Sequence, residues 1–187
     1  MPSVNLASLV LGLRSGMVGS FPTDTVPALA VQPEHRQQIY DIKQRSTSKP
    51  LILMSATLEE LWRYVATDHP DFPYWQTTAQ TYLPGAVTLV LPVNNLGRHI
   101  NPQFSTVGIR IPRDQRALAV LQQTGALLTT SANISDQPAL TDMAAITHNF
   151  PSVLVWETAT QPNLPSTVVA WQGGQWVTLR QGAVTIL

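Results

Sequence analysis

Phe21-Pro-Thr-Asp-Thr25 places two hydroxyls and a carboxylate directly after a short apolar run. At the end of a strand in an α/β sheet, such a loop commonly faces a ligand crevice. The same residues also make an ordinary Pro/Asp/Thr turn. Lys43-Gln-Arg45, with Lys49 close behind, gathers three cations on one short stretch of a chain that holds eleven. A compact ammonium beside a planar guanidinium suits a polyphosphate, and cations also collect at helix C-termini to offset the dipole. Thr129-Thr-Ser-Ala-Asn133 follows the apolar pair Leu127-Leu128. Its hydroxyls and amide can bond phosphate or carboxylate oxygens, or cap the next element. Arg110 is the sole charge in the strand-like run Thr106-Val-Gly-Ile-Arg110. A buried unpaired charge is costly, so Arg110 requires a protein carboxylate or an anionic ligand. Pro165-Ser-Thr167 and Arg180-Gln-Gly182 add a hydroxyl and a cation near the C-terminus.

Several chemistries lack their residues. There is no cysteine, which removes disulfides, thiolate metal sites and a Cys nucleophile. No Walker-type glycine-rich loop and no GxGxxG occurs. The four histidines are scattered, without the spacing of a helical zinc site, and the five tryptophans suit core and hairpin packing. No Ser/His/Asp set announces itself.

The elements that must carry these residues alternate between helix and strand, which argues an α/β fold. Leu6, Leu9, Val10 and Leu13 share one face of a helix over 4–14 that Ser3 can cap and Gly16 can end. A short strand over 17–21 follows. Residues 34–43 read as helical after Pro33, 43–49 as a polar loop and 51–54 as a buried strand. Thr57 and Glu60 make a capping box for a helix to about Val65, and 70–82 contains another helix. Strands are expected over 87–91, 106–111, 127–130 and 153–156, with a loop over 94–105. Helices are expected over 117–123 and from Thr141 to about His148. Gly173-Gly174 between two β-rich runs is a hairpin signal, so the sheet is expected to be mixed.

The chain has 187 residues, enough for one domain with a sizeable core. Its charged fraction is 12% and its formal net charge is zero. A protein that grips nucleic acid over a whole face is expected to be basic, so any anion binding here must be local. No apolar run reaches the ~18–20 residues that span a bilayer. No basic segment precedes the apolar N-terminus as a leader would require. The expectation is a cytoplasmic, non-membrane protein.

Taken in order, the segments resemble the YrdC-like family, the threonylcarbamoyl-AMP synthases. The resemblance runs through Pro22-Thr-Asp-Thr25, Lys43-x-Arg45 with Lys49-Pro50-Leu51, and Leu83-Pro-Gly85 with Thr88. It continues through Thr106-Val-Gly-Ile-Arg110, Ser131-Ala-Asn133, Pro165-Ser-Thr167 and Arg180-Gln-Gly182, and so covers nearly the whole chain. It implies a single YrdC-like domain over 1–187, in the short form. The implied fold is a twisted mixed β-sheet flanked by helices around a deep anion-binding cavity. It further implies that ATP, L-threonine and bicarbonate are converted to threonylcarbamoyl-adenylate and pyrophosphate. Separate transfer proteins would then pass the group to an adenosine of tRNA, the t6A modification.

By that resemblance Lys43 and Arg45 are the catalytic pair and contact the phosphates. Lys49, Thr106, Ser131, Asn133 and Arg180 complete the ATP site, while Thr23, Arg110, Thr129 and Ser166 hold threonine. Mg²⁺ is expected with ATP, with no ligands assignable. The sequence departs from the family pattern at Val26-Pro27-Ala28-Leu29, where an aromatic and a glycine are usual, at Leu83, and at Asp136. Pro27 and Ala28 cannot take the conformations open to glycine, so a reshaped loop is expected. Two other readings stay open: a non-catalytic paralogue that binds double-stranded RNA or tRNA, and a carbamoyl-handling relative with another acceptor.

Overall fold

The computed structural model describes residues 3–134, 137–156, 158 and 164–186. The described strands are β1 (Gly19–Phe21), β2 (Ala28–Val31), β3 (Ile52–Met54), β4 (Val87–Pro92), β5 (Thr106–Arg110), β6 (Leu127–Ser131), β7 (Leu154–Val155), β8 (Thr167–Gln172) and β9 (Gln175–Arg180). They form one mixed sheet in the order β7-β1-β2-β6-β3-β5-β4-β8-β9. The pairs β1–β7, β3–β5 and β4–β8 are parallel, and the other neighbours are antiparallel. The described helices are α1 (Leu6–Arg14), α2 (Gln37–Lys43), α3 (Leu58–Trp62), α4 (Phe72–Tyr82), α5 (Asn95–Ile100), α6 (Gln115–Thr124) and α7 (Met143–Asn149). No helix among the described residues is long and apolar enough to cross a membrane.

Most expected elements are present, and the differences have local causes. Asn5, rather than Ser3, caps α1 by accepting from Ser8 N, and Asp142, rather than Thr141, caps α7. The stretch expected as a loop over 94–105 contains α5. Asn94 caps it through Gly97 N, and the helix passes so close to Tyr64 O that a Cβ on Gly97 would lie 2.3 Å from it. Gly97, a poor helix former by propensity, is therefore required by packing. The strand β2 escapes the sequence reading because Pro27 stands at its entry, yet Ala28 pairs with both Phe21 and Ser131.

Thr57 caps α3 as expected, but the reciprocal half of the capping box is not made. The Glu60 carboxylate instead receives Ser55 Oγ and, at 2.8 Å, Ala126 N at the entrance to β6. Glu60→Ala should leave that buried amide without its acceptor and cost about 1–3 kcal/mol. Urea denaturation checks this, and a stability equal to wild type would show that the bond is dispensable.

Helices α2, α3, α4 and α5 bury Ile39, Leu61, Trp75 and Ile100 in the larger core, together with Leu29, Leu53, Leu89, Ile109 and Leu128. On the other face α1 and α6 pack Leu9, Leu13, Val120 and Leu121 over Ala28, Ala30, Met54 and Leu127. Alternation along a strand sends successive side chains to opposite faces. Those two helices cover only part of this second face, and the site lies on the remainder.

Candidate active site

On β5 the alternation that buries Val107 and Ile109 turns Thr106, Gly108 and Arg110 to the second face. Register carries the same face across the sheet, since Gly108 pairs with Ile52 and Val90, Ile52 with Thr129, and Ala28 with Ser131. Beyond α1 and α6 this face opens into a cavity of about 910 Å³. Its lining includes Arg45, Lys49, Arg110 and Arg180 and the oxygens of Thr25, Thr88, Thr106, Thr129, Ser131, Asn133 and Ser166, and it contains no Asp or Glu. Every site residue taken from the sequence is in that lining except Lys43 and Thr23.

Arg110 is 2% exposed. Its Nε donates to Gly85 O at 3.0 Å, Nη1 to Thr25 Oγ1 at 2.8 Å and Nη2 to Asp24 Oδ1 at 2.8 Å. Of the two partners open to it by sequence, a protein carboxylate is present. Burial pushes this guanidinium below its ordinary value, and the adjacent Asp24 opposes the shift. Asp24 Oδ1 also accepts from Arg113 N, which ties the loop after β1 to the end of β5. Thr23 does not face the cavity. Its hydroxyl donates to Val26 O and accepts from Thr25 N, so it shapes the turn while Thr25 meets Arg110. Thr25, not the expected Thr23, is the threonine of this loop that lines the cavity.

Lys43 was expected on a polar loop. It is the last residue of α2 and is completely buried. Its Nζ donates to Ser131 O and, at 3.1 Å, to Asn133 Oδ1. Burial and the nearby Arg45 push its pKa down to about 7. The reversal that follows comes from Gln44 at φ 51, the left-handed conformation common just past a helix end. Arg45 then lies on the cavity side, with Nε on Lys49 O and Nη2 on Pro50 O.

The terminal hairpin supplies the opposite wall. Arg180 donates through Nε and Nη2 to Ser166 O at 3.2 and 2.8 Å, and through Nη2 to Ser166 Oγ at 3.2 Å. Ser166 Oγ meets Thr88 Oγ1 at 2.9 Å. Thr167 Oγ1 accepts from Gly182 N, so the two C-terminal motifs are bonded to each other. Thr25 and Thr88 line the cavity and Asp24 pairs with Arg110, although the sequence motifs that contain them did not mark them as site residues. Their distance in sequence from Arg110 and Ser166 concealed the pairings.

At Pro27-Ala28 the chain is ordinary strand. Ala28 has no positive φ, and Pro27 O accepts from Ala132 N at 3.0 Å. The backbone therefore makes no demand for glycine there. Asp136 lies outside the described residues. No cluster of three or more His, Asp or Glu side chains suited to a metal occurs among the described residues. The cavity lining offers cations and hydroxyls, so these residues do not compose a protein-held Mg²⁺ site.

Fold and site together define an α/β protein whose sheet face presents arginine, lysine and hydroxyl groups to one cavity. The chain belongs to the Sua5/YciO/YrdC family, whose model, described as telomere recombination, matches residues 12–182. A threonylcarbamoyl-AMP synthase of Bacillus subtilis is 29% identical over 182 residues, which is 92% of this chain and 52% of that protein. One from Bos taurus is 36% identical over 138 residues, covering 71% of this chain and 48% of that one. The chain thus spans about half the length of these curated relatives. The crystal structure of P. abyssi Sua5 complexed with L-threonine superposes with a TM-score of 0.84 at 26% identity, over 97% of this chain and 56% of that one.

Proposed function

We propose that this protein is a threonylcarbamoyl-AMP synthase. The observation that carries the reading is the cavity itself. Four cations and a ring of hydroxyls converge on one sheet face with no carboxylate among them, in a chain of zero net charge. A site that must hold a polyphosphate beside an amino-acid carboxylate and a carbamate needs this set.

In the proposed reaction the threonine amine adds to carbon dioxide with loss of a proton, or to bicarbonate with loss of water, and becomes a carbamate. A carbamate oxygen then attacks the α-phosphorus of ATP, the bond to the β-phosphate oxygen breaks, and pyrophosphate leaves. Positioning mutually repelling anions and stabilising charge at phosphorus supply the catalysis. Arg45, Lys49 and Arg180, with Thr106, Ser131 and Asn133, serve the nucleotide. Arg110, Thr129 and Ser166, with Thr25, serve threonine. Mg²⁺ enters as the counter-ion of ATP. The adenylate is consumed by partner proteins that transfer the group to tRNA, and the work is cytoplasmic.

Purified protein should release pyrophosphate from ATP only when both L-threonine and bicarbonate are present. Release that ignores threonine, or ATP binding without release, would sink the assignment. The neutral net charge supports no whole-surface RNA grip, so the enzyme reading is preferred to the RNA-binding one.

A further inference from the structure

Gly108 stands at the middle of β5, between Val107 and Ile109, where a β-branched side chain would suit the sheet better than none. A glycine inside a strand weakens it, and often marks a place where a ligand or another backbone comes close. No other backbone crowds this position. Gly108 pairs in register with Ile52 and Val90, and its φ is not positive. A Cβ built on it would meet Thr88 Cγ2 at 3.2 Å, Ile52 Cγ1 at 3.6 Å and Val90 Cγ2 at 3.8 Å, all of them side-chain atoms, and only the first contact is tight. Gly108 belongs to the cavity lining, so the side chain it lacks would have pointed there. Neither the path of the chain nor its packing calls for glycine, whereas room in the cavity does.

The three neighbouring atoms are all aliphatic carbons. They make a methyl-lined depression in the floor of a cavity otherwise rich in cations and hydroxyls. Thr88 shows carbon here because its hydroxyl is committed elsewhere: Oγ1 is bonded to Ser166 Oγ at 2.9 Å. The register Leu89 to Ile109 puts Thr88 on the Arg110 side of Gly108, away from Thr106. Thr129 flanks the depression one strand further on, as the partner of Ile52. Arg110, Thr129 and Ser166 are the residues given above to threonine, so the apolar floor lies within the amino-acid end of the cavity.

We infer that Gly108 is a specificity-determining residue: it opens a seat over Thr88, Ile52 and Val90 for the side-chain methyl of the amino-acid substrate. This rests on the synthase reading and its placement of threonine. A cationic and hydroxyl-bearing rim around an apolar floor fits a small β-hydroxy amino acid that carries one methyl. Serine offers the same charged groups and hydroxyl and lacks only that methyl. One methyl or methylene in an apolar pocket is worth roughly 10–200-fold in kcat/KM, and wild type should prefer threonine to serine by a factor of that order.

The test measures pyrophosphate release with threonine, serine and 3-hydroxynorvaline, which is threonine lengthened by one methylene. The proteins are wild type, Gly108→Val and Val90→Ala, with denaturant midpoints taken for each. Gly108→Val fills the depression with two methyls and should narrow the threonine-to-serine ratio of kcat/KM by about tenfold or more. Val90→Ala enlarges the same depression and should raise 3-hydroxynorvaline relative to threonine by about tenfold.

If threonine and serine fall together in Gly108→Val, the depression takes a group that both share, such as the carbamate, and the inference is overturned. Should Gly108→Val not fold, Val90→Ala decides, and an unmoved ratio of 3-hydroxynorvaline to threonine overturns the inference. A wild type that releases no pyrophosphate with any of the three defeats the synthase reading itself. Calorimetric binding of threonine and serine to wild type then tests the seat alone: tighter threonine supports it, and equal affinities overturn it.

Discussion

Arg110→Met should abolish pyrophosphate release and destabilise the fold by about 3–5 kcal/mol, the usual cost of stripping one partner from a buried ion pair. The guanidinium joins three separate segments: the loop after β1 through Asp24 and Thr25, the turn at Gly85, and its own strand. Removing it takes the ion-pair partner from the Asp24 carboxylate, whose side chain is only 17% exposed, and leaves Gly85 O short of a donor. The loss should fall toward the lower figure because that residual exposure lets water in. Adding Asp24→Asn to Arg110→Met should recover a large share of the stability and none of the turnover, since the charge at the cavity is still missing. Arg110→Lys should rescue poorly, because an ammonium has no fork to meet three acceptors at fixed angles. Denaturant midpoints and pyrophosphate release measure both halves. A double variant as unstable as Arg110→Met alone would show that the pair is not what holds the loop.

Gly182→Ala should cost about 1–3 kcal/mol through overpacking and lower turnover by about tenfold or more, as misplacement of a site element does. A Cβ on Gly182 would lie 2.2 Å from Pro165 O and 2.5 Å from Ser166 C and Thr167 N, all backbone atoms that cannot swing aside. Relief requires the end of β9 to leave the segment before β8. That separation disrupts Gly182 N on Thr167 Oγ1, Ala183 N on Pro165 O and the Arg180 bonds to Ser166. Gly173→Ala is the matched control. Its Cβ meets nothing within 4 Å, but its φ of +58° is left-handed, so about 1–2 kcal/mol of strain is expected with turnover retained. Turnover at the wild-type level in Gly182→Ala would remove the Arg180–Ser166 contact from the proposed site.

Much of this was legible from residue order. The run Thr106-Val-Gly-Ile-Arg110 was expected to be a strand and is β5. Gly173-Gly174 marked a hairpin, and both residues do take positive φ. Thr57 capped the helix it was expected to cap. At the starts of α1 and α7 the reading missed because competing capping groups stood two residues apart or fewer, Ser3 against Asn5 and Thr141 against Asp142, and propensity does not separate them.

The sequence by itself therefore determined most of the inventory: the cations and most of the hydroxyls that line the cavity, most of the strand and helix order that carries them, and the family they resemble. Only the tertiary structure decided what each one faces. Lys43 meets Ser131 across 88 positions and Arg110 meets Asp24 across 86. Local spacing fixes a side chain's face on its own element, but not which distant element packs against that face. Lys43 and Arg45 look equivalent in the sequence, and one left-handed residue between them sends the first into the protein and the second to the cavity.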